Sequence, residues 1–203
     1  MQNSTELKLF MILIGFKPKG LNTEQHDVRF EVGVSIKDPA FQKRLRENLP
    51  FGKDVKIHID AVIEISHADG YDVVVVPKSH PEKSEKNLWF VNLGGYKNGV
   101  FHEFHKRLLL VEEKVTDAII RALKDQFVSE MDTPHEKARP HHDDSLNVSQ
   151  KTDGVAPVDA DDHINVGDEL GEFSIFLIKV PGGKDSLNDP DSVNVTGYMK
   201  IEV

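Results

Sequence analysis

The sequence predicts an α+β fold made of two tandem β-β-α-β-β copies with mixed sheets, related by a pseudo-twofold axis. Three observations support this prediction: an internal repeat with a period of about 80 residues, apolar–polar alternation typical of half-buried strands, and one short amphipathic helix in each copy. We place the first copy at residues 1–80 and the second at 81–203, with a long acidic loop inserted at about 129–169. Each helix is expected to cover one face of its sheet.

The repeat is visible as two similar segments. FMILIGFK at 10–17 aligns with FVNLGGYK at 90–97, and after a gap of one residue KGLNTEQH at 19–26 aligns with NGVFHEFH at 98–105. Seven of the sixteen aligned pairs are identical, including the glycines at 15 and 95 and a Glu-x-His at the end of each segment. A period this long is not that of a solenoid, so it indicates two copies of a small domain.

The first copy begins with an apolar strand at 8–15, which a glycine ends. Its other predicted elements are a loop at 16–22, an alternating strand at 28–36, a helix from the cap Asp38 to about Leu49, and strands at 55–65 and 71–76. The strands that flank the helix are expected to be parallel, and the last two, joined by a tight turn, antiparallel. The second copy has predicted strands at 88–95, 104–111, 173–180 and 193–203, and a helix from Thr116 to about Phe127.

Composition and charge limit the class of protein. The chain of 203 residues has no cysteine, which excludes disulfides, thiolate metal sites and a cysteine nucleophile. Residues 129–169 contain eleven acids and three bases, so they carry −8 of the net charge of −9. We interpret this segment as a solvated loop or, alternatively, as a docking element for a basic partner. Nucleic-acid binding is not expected, because the remaining residues form no basic patch.

The apolar run LFMILIGF at 9–16 is the one candidate for a targeting or membrane segment. It spans eight residues, whereas a membrane helix needs roughly 20. An acidic residue precedes it, and no small-residue cleavage site follows. We therefore interpret it as a buried strand and expect a cytoplasmic protein with no membrane association.

Polar residues of the repeat form one candidate ligand-binding site. Each Glu-x-His places a carboxylate and an imidazole on the same face of a strand, where they could bind a ligand or a metal, or act as acid and base. The alternative is a hydrogen-bonded histidine that only fixes the start of the strand. The preceding Gly-Lys loops could hold an anion, although a plain turn is the better explanation of them. The predicted ligand-binding residues are Lys17, Gly20, Glu24, His26, Lys97, Glu103 and His105.

A second candidate is a divalent metal site at Asp27, His58 and Asp60. The last two residues lie opposite the apolar face of their strand, and we expect them to project from the same side as Asp27. Two carboxylates and an imidazole suit Mg²⁺, Mn²⁺ or Zn²⁺. The alternative is charge pairing across strands on a solvated face. The tract HEKARPHH at 135–142 could also bind a transition metal adventitiously.

Several motifs resemble those of a bacterial family known as domain of unknown function 1543. They are the stretch from Gly15 to Val28, the His-Ile-Asp at 58–60, the Asn-Leu-Gly-Gly-Tyr at 92–96 and a weaker His-Asp-Asp at 142–144. The resemblance extends over most of the chain except 129–169. It implies a bacterial source and no particular activity.

These observations support three hypotheses about function. The first is a non-enzymatic module that binds a small molecule or a protein between the two copies. The second is a metal-assisted hydrolase or transferase, with Asp27, His58 and Asp60 as ligands and Glu24 or His26 as general base. The third is a scaffold whose acidic loop docks on a basic partner. The sequence leaves the choice between an enzyme and a binding module open.

Overall fold

The computed structural model describes residues 6–49, 55–134 and 159–201. The chain forms two compact units, Met1–Lys83 with Gly167–Val203, and Ser84–Val166. The strands are β1 (Lys8–Phe16), β2 (Gln25–Gly33), β3 (Ile57–Glu64), β4 (His67–Ala68), β5 (Tyr71–Pro77), β6 (Asn87–Tyr96), β7 (Glu103–Glu112), β8 (Thr133–Pro134), β9 (Asp159–Asn165), β10 (Phe173–Lys179) and β11 (Val193–Lys200). The α-helices are α1 (Pro39–Glu47), α2 (Val115–Ala122) and α3 (Gln126–Glu130). None of the helices within these ranges is long and apolar enough to cross a membrane.

The first unit contains a four-stranded sheet in the order β11-β3-β1-β2 and a smaller sheet in the order β10-β5-β4. Both β2 and β3 are antiparallel to β1, which lies between them. The two strands that flank α1 therefore point in the same direction, as predicted, but they are not neighbours. All strand pairings within the described ranges are antiparallel, so the predicted mixed sheets are not found there.

Helix α1 packs on one face of the four-stranded sheet. Asp38 caps it by accepting a hydrogen bond from the backbone N–H of Ala40 at 2.9 Å, and Pro39 begins it, as the sequence predicts. Phe41 and Leu45 are buried, and the ring of Phe41 meets that of Phe10 edge to face at 5.5 Å. The core around them consists of Phe10, Ile12, Ile14, Phe16, Ile36, Phe41, Leu45, Leu49, Ile57, Ile59, Val62 and Ile201.

A β-bulge interrupts β3 and changes which residues face this core. Leu13 pairs with Ala61 whereas Ile14 pairs with Ile59, so Asp60 is an extra residue on β3. Before the bulge, the odd-numbered residues Ile57 and Ile59 point toward α1. After the bulge, the even-numbered Val62 points to that face. The unbroken alternation predicted for 55–65 is therefore wrong, because the extra residue shifts the parity of every residue that follows.

The second unit places β6 between β7 and β9, and β8 pairs with the end of β6. All three pairings are antiparallel. The predicted single helix is divided into α2 and α3, and Lys114 rather than Thr116 occupies the N-cap of α2. The core of the second unit consists of Val91, Leu93, Leu110, Ala118, Ala122 and Met131.

The last two strands belong to the first unit, contrary to the prediction. β10 pairs with β5 and β11 pairs with β3, although the sequence assigned both segments to the second copy. The strand that pairs with β6 in their place is β9, which lies inside the segment predicted as an acidic loop. Both units begin with two strands followed by a helix, but the predicted tandem β-β-α-β-β repeat is not confirmed, and the fold is α+β with antiparallel sheets.

Candidate metal centre

Three neighbouring strands bring four polar side chains together at one end of the first sheet. Gly15 on β1 pairs with His26 on β2 and with His58 on β3, so the two histidines flank the glycine. Residues directly opposite in antiparallel strands point to the same face. Glu24 lies just before β2, and Asp60 occupies the bulge of β3.

The nitrogen and oxygen atoms of this cluster lie close to one another. His58 Nε2 is 3.0 Å from Glu24 Oε1 and 3.1 Å from Asp60 Oδ1. His26 Nε2 is 3.5 Å from Glu24 Oε1 and 3.2 Å from Asp60 Oδ2. Each carboxylate thus contacts both imidazoles. Glu24, His58 and Asp60 each offer one ligand atom, and these atoms lie within 4.8 Å of one another.

Gly15 provides the space in which the four side chains meet. A Cβ atom at this position would collide with His58 Nε2 and would lie 2.6 Å from Glu24 Oε1 and 2.7 Å from Asp60 Oδ2. Any other residue would therefore push the cluster apart. The sequence shows this glycine as the end of a strand, but only the register reveals that the site is built over it.

The centre is buried on one side and open on the other. The His58 side chain is 10% exposed and that of Asp60 is 24% exposed, whereas Glu24 and His26 are exposed to 41% and 47%. Tyr198 on β11 stacks against His58, with ring centroids 4.3 Å apart and an interplanar angle of 30°. The sequence analysis did not single out Tyr198, because β11 was assigned to the other copy.

One carboxylate oxygen of the cluster lacks a suitable donor. Asp60 Oδ2 is buried and accepts no hydrogen bond, although His26 Nε2 lies 3.2 Å away. An ion pair at this distance need not be aligned for a hydrogen bond. A buried carboxylate oxygen without a donor is costly, and a bound cation would remove that cost.

The separations between these atoms match those between the ligands of one metal ion. Zinc binds histidine nitrogen and carboxylate oxygen at roughly 2.0–2.2 Å, which places tetrahedral ligands about 3.4 Å apart. The four contacts within the cluster run from 3.0 to 3.5 Å. Glu24, His58 and Asp60 can therefore hold a single divalent ion through one imidazole and two carboxylates, which leaves a fourth position open, with His26 beside them.

Asp27, the third predicted metal ligand, does not join this cluster. It pairs with Ile14 of β1, so it faces the side of the sheet that carries α1. Its carboxylate forms an ion pair with Arg29 at 2.6 Å. The prediction grouped Asp27 with His58 because it assumed that β2 and β3 are adjacent.

Lys17 and Gly20, two predicted ligand-binding residues, belong to the loop between β1 and β2. Lys17 follows β1, and its Nζ donates a hydrogen bond to the backbone oxygen of Asn22 at 2.9 Å. Gly20 adopts a positive φ of 96°, which the turn between β1 and β2 requires and which glycine tolerates best. It therefore has a clear role in the backbone of the turn.

The second Glu-x-His lies on β7 of the other unit. Glu103 Oε2 is 3.6 Å from His105 Nε2, and Asn92 Nδ2 is 3.3 Å from His105 Nδ1. His105 pairs with Gly94 and not with the aligned glycine at 95. On the other side of β6, Gly94 pairs with Asp159, which thus takes the place that His58 has beside Gly15. The histidine pair of the first unit is thus not repeated in the second.

Two further features of the second unit concern charge. Lys97 Nζ lies 5.2 Å from the ring centroid of Phe104, a cation–π contact. Partial burial lowers the pKa of Arg107, which follows His105 on the same face of β7.

The candidate motifs at 135–142 and 142–144 lie outside the described residues.

The fold and this centre define an α+β protein with a candidate site for a divalent metal. Residues 21–75 match the sequence model of the family Domain of Unknown Function (DUF1543), which confirms the resemblance predicted from the motifs. The matched segment contains Glu24, His26, His58 and Asp60.

A solved structure has a similar fold. Protein Il1583 from Idiomarina loihiensis superposes with a TM-score of 0.59 and 20% sequence identity, over 97% of this chain and 99% of that chain. At this identity the likeness establishes the fold alone. No curated protein sequence matches the chain.

Proposed function

We propose that this protein binds one divalent transition-metal ion through Glu24, His58 and Asp60, with His26 beside them. The observation that carries the proposal is the meeting of two imidazole nitrogens and two carboxylates over Gly15, at separations of 3.0–3.5 Å. The unpartnered, buried Oδ2 of Asp60 supports the same conclusion.

The mixture of nitrogen and oxygen ligands selects among the metals predicted from the sequence. Imidazole suits zinc, iron, nickel and copper, whereas Mg²⁺ prefers oxygen ligands in an octahedral shell. An imidazole ligand, with a second imidazole beside it, therefore favours Zn²⁺, and Mn²⁺ should bind the same site more weakly. Glu24 and His26 are half-exposed, so the solvent side of the ion is free to bind water or a small ligand.

Ion pairing alone is the competing explanation of the cluster. Two protonated histidines would neutralise two carboxylates, and partly exposed pairs of this kind contribute about 0–1 kcal/mol each. That explanation leaves Asp60 Oδ2 without a hydrogen bond. It also predicts no metal binding, so a direct titration separates the two.

The decisive experiment is a calorimetric titration of the full chain, free of any affinity tag and treated with chelator, with Zn²⁺ and then Mn²⁺. We expect one equivalent of Zn²⁺ to bind with a Kd of about 1 μM or tighter. His58→Ala should weaken binding at least tenfold, because it removes the most buried ligand. Saturation at about 100 times Kd should stabilise the fold by about 2.7 kcal/mol, measured as a rise in Tm.

Two controls make this result specific. His67→Ala removes another histidine that pairs with a carboxylate, Asp72, at 3.2 Å, and it should leave the affinity for Zn²⁺ unchanged. The double variant His141→Gln/His142→Gln removes two histidines from the tract at 135–142 that could bind a metal adventitiously. It should still bind one equivalent of Zn²⁺. An unchanged Tm and no binding heat with either metal would sink the proposal, as would equal losses in His58→Ala and His67→Ala.

The other predicted functions stay predictions. Glu24 and His26, the expected general bases of a hydrolase or transferase, lie beside His58 and Asp60. The acidic segment expected to dock a basic partner lies largely outside the described residues.

A further inference from the structure

We propose that the metal centre takes a dianionic phosphate group as its ligand, held between the metal ion and the side chains of Lys17 and Lys200. This inference rests on the proposed metal binding and names the class of ligand for that site. It is carried by the strand register, which places Lys200 on the face of the sheet that holds the centre, and by the position of Lys17 two residues after Gly15.

Lys200 is the partner of His58 on the neighbouring strand β11. Met199 and Ile201, on either side of it, pack into the core beneath α1. Because side chains alternate along a strand, Lys200 points to the opposite face, where His58 and Tyr198 meet. Its side chain is exposed at the edge of the sheet.

Lys17 is the first residue after β1. It follows Gly15, over which the cluster is built, by two residues. Its hydrogen bond to the backbone oxygen of Asn22 holds the amine close to the segment that leads into Glu24. Within the described parts of the chain, neither Lys17 nor Lys200 forms an ion pair with a carboxylate.

The balance of charge identifies the ligand. A divalent ion is neutralised by Glu24 and Asp60, and the neutral histidines add no charge. The two lysines then leave a surplus of two positive charges around the open side of the ion. A phosphate monoester or inorganic phosphate supplies two negative charges and several acceptor oxygens, enough to contact the metal and both ammonium groups. A carboxylate carries half that charge and fewer oxygens.

The test uses zinc-loaded full-length protein from which excess metal has been removed. It is titrated calorimetrically with inorganic phosphate, phenyl phosphate and acetate at equal ionic strength. We expect both phosphates to bind at least tenfold tighter than acetate. Tighter binding of phenyl phosphate than of inorganic phosphate would identify an organic monoester, stacked on the exposed ring of Tyr198, as the natural source of the phosphate group.

Lys17→Gln and Lys200→Gln should each weaken phosphate binding about five- to tenfold, because each removes one charge from the site. The Kd for Zn²⁺ should change by less than about twofold, since neither lysine is a ligand. Lys43→Gln, an exposed lysine on α1, is the matched control and should leave both affinities unchanged.

Each outcome is decisive. Equal phosphate affinity in the wild type and in both lysine variants would overturn the inference, and so would acetate binding as tightly as phosphate. If zinc binds and phosphate does not, this inference alone fails. If zinc itself does not bind, the proposed metal function fails, and the phosphate site fails with it.

Discussion

Gly15 is the residue on which the geometry of the metal centre depends most directly. Gly15→Ala should weaken Zn²⁺ binding at least tenfold in a calorimetric titration, because the new methyl group would displace His58, Glu24 and Asp60. Gly15 pairs with His26 on one side and His58 on the other and has no positive φ, so the backbone can accept alanine and the protein should still fold.

Gly33→Ala provides the matched control for that substitution. A Cβ atom at this position would lie 2.7 Å from Cδ2 of the buried Phe41, far from the metal centre along the same sheet. It should lower the free energy of unfolding by about 1–3 kcal/mol through overpacking, yet leave the Kd for Zn²⁺ unchanged. If Gly15→Ala kept full affinity, the cluster could not be the binding site.

Individual residues of the centre could be predicted from the sequence to different degrees. Glu24 with His26, and His58 with Asp60, were each recognisable as carboxylate–imidazole pairs because their spacing places them on one face of a strand. The two pairs form one cluster because β1 lies between β2 and β3. No local sequence pattern reveals this strand order. Asp27 was grouped wrongly for the same reason.

At the scale of elements, helix α1 is fixed to the sheet by a charged contact. Arg44 donates hydrogen bonds to Glu31 Oε1 at 3.2 Å and to the backbone oxygen of Val32 at 2.6 Å. Glu31 is 8% exposed, and Arg44 is the charged partner of its carboxylate, which also accepts hydrogen bonds from the backbone N–H of Val32 and from Asn48 Nδ2. Arg44→Met should lower the free energy of unfolding by about 1–2 kcal/mol, less than for a fully buried pair because the arginine is partly exposed.

Urea denaturation followed by circular dichroism measures that change. Lys43→Met is the matched control on the same helix, since its contact with Glu47 spans 3.9 Å between exposed side chains. That substitution should change the free energy of unfolding by less than about 0.5 kcal/mol. Equal effects of the two substitutions would mean that the buried carboxylate of Glu31 does not need Arg44.

The cap and the apolar spacing of α1 were readable in the sequence, whereas the bulge in β3 was not. Asp38-Pro39 is a local signal, because both residues act on the first turn of the helix itself. The bulge at Asp60 is decided by how β3 pairs with β1 and β11, and the sequence around it shows uninterrupted alternation. Since the bulge carries a proposed metal ligand, the least predictable part of the strand is also the part that builds the site.

At the scale of the whole molecule, the sequence predicted the class of fold but not the division of the chain. The hairpins β1–β2 and β6–β7 are local, so their shared pattern was visible as a repeat. β10 and β11 pair with strands about a hundred residues or more earlier in the chain, and the sequence of an apolar strand does not identify its partner. β9 was missed because its sequence, DADDHIN, is acidic and lacks the composition of a strand.

A single buried hydroxyl ties the C-terminal segment to the early strands of the first unit. Ser186 is 1% exposed, and its Oγ accepts hydrogen bonds from the backbone N–H groups of Ser66 at 3.1 Å and His67 at 2.9 Å. Ser186→Ala leaves both donors without this acceptor, at a cost of about 1–3 kcal/mol per buried group. We expect the free energy of unfolding to fall by about 2 kcal/mol in urea titrations.

Hydrogen exchange localises that effect to the long-range contact. The amides of Ser66 and His67 should exchange faster in Ser186→Ala, because they lose their acceptor, while amides in β7 of the second unit should keep their protection. Ser129→Ala is the control, because its hydroxyl is exposed and bonds only within α3, to the backbone oxygen of Gln126 at 2.7 Å. If the stability of Ser186→Ala matched that of Ser129→Ala, the pairing of β10 and β11 alone would hold the C-terminal segment in the first unit.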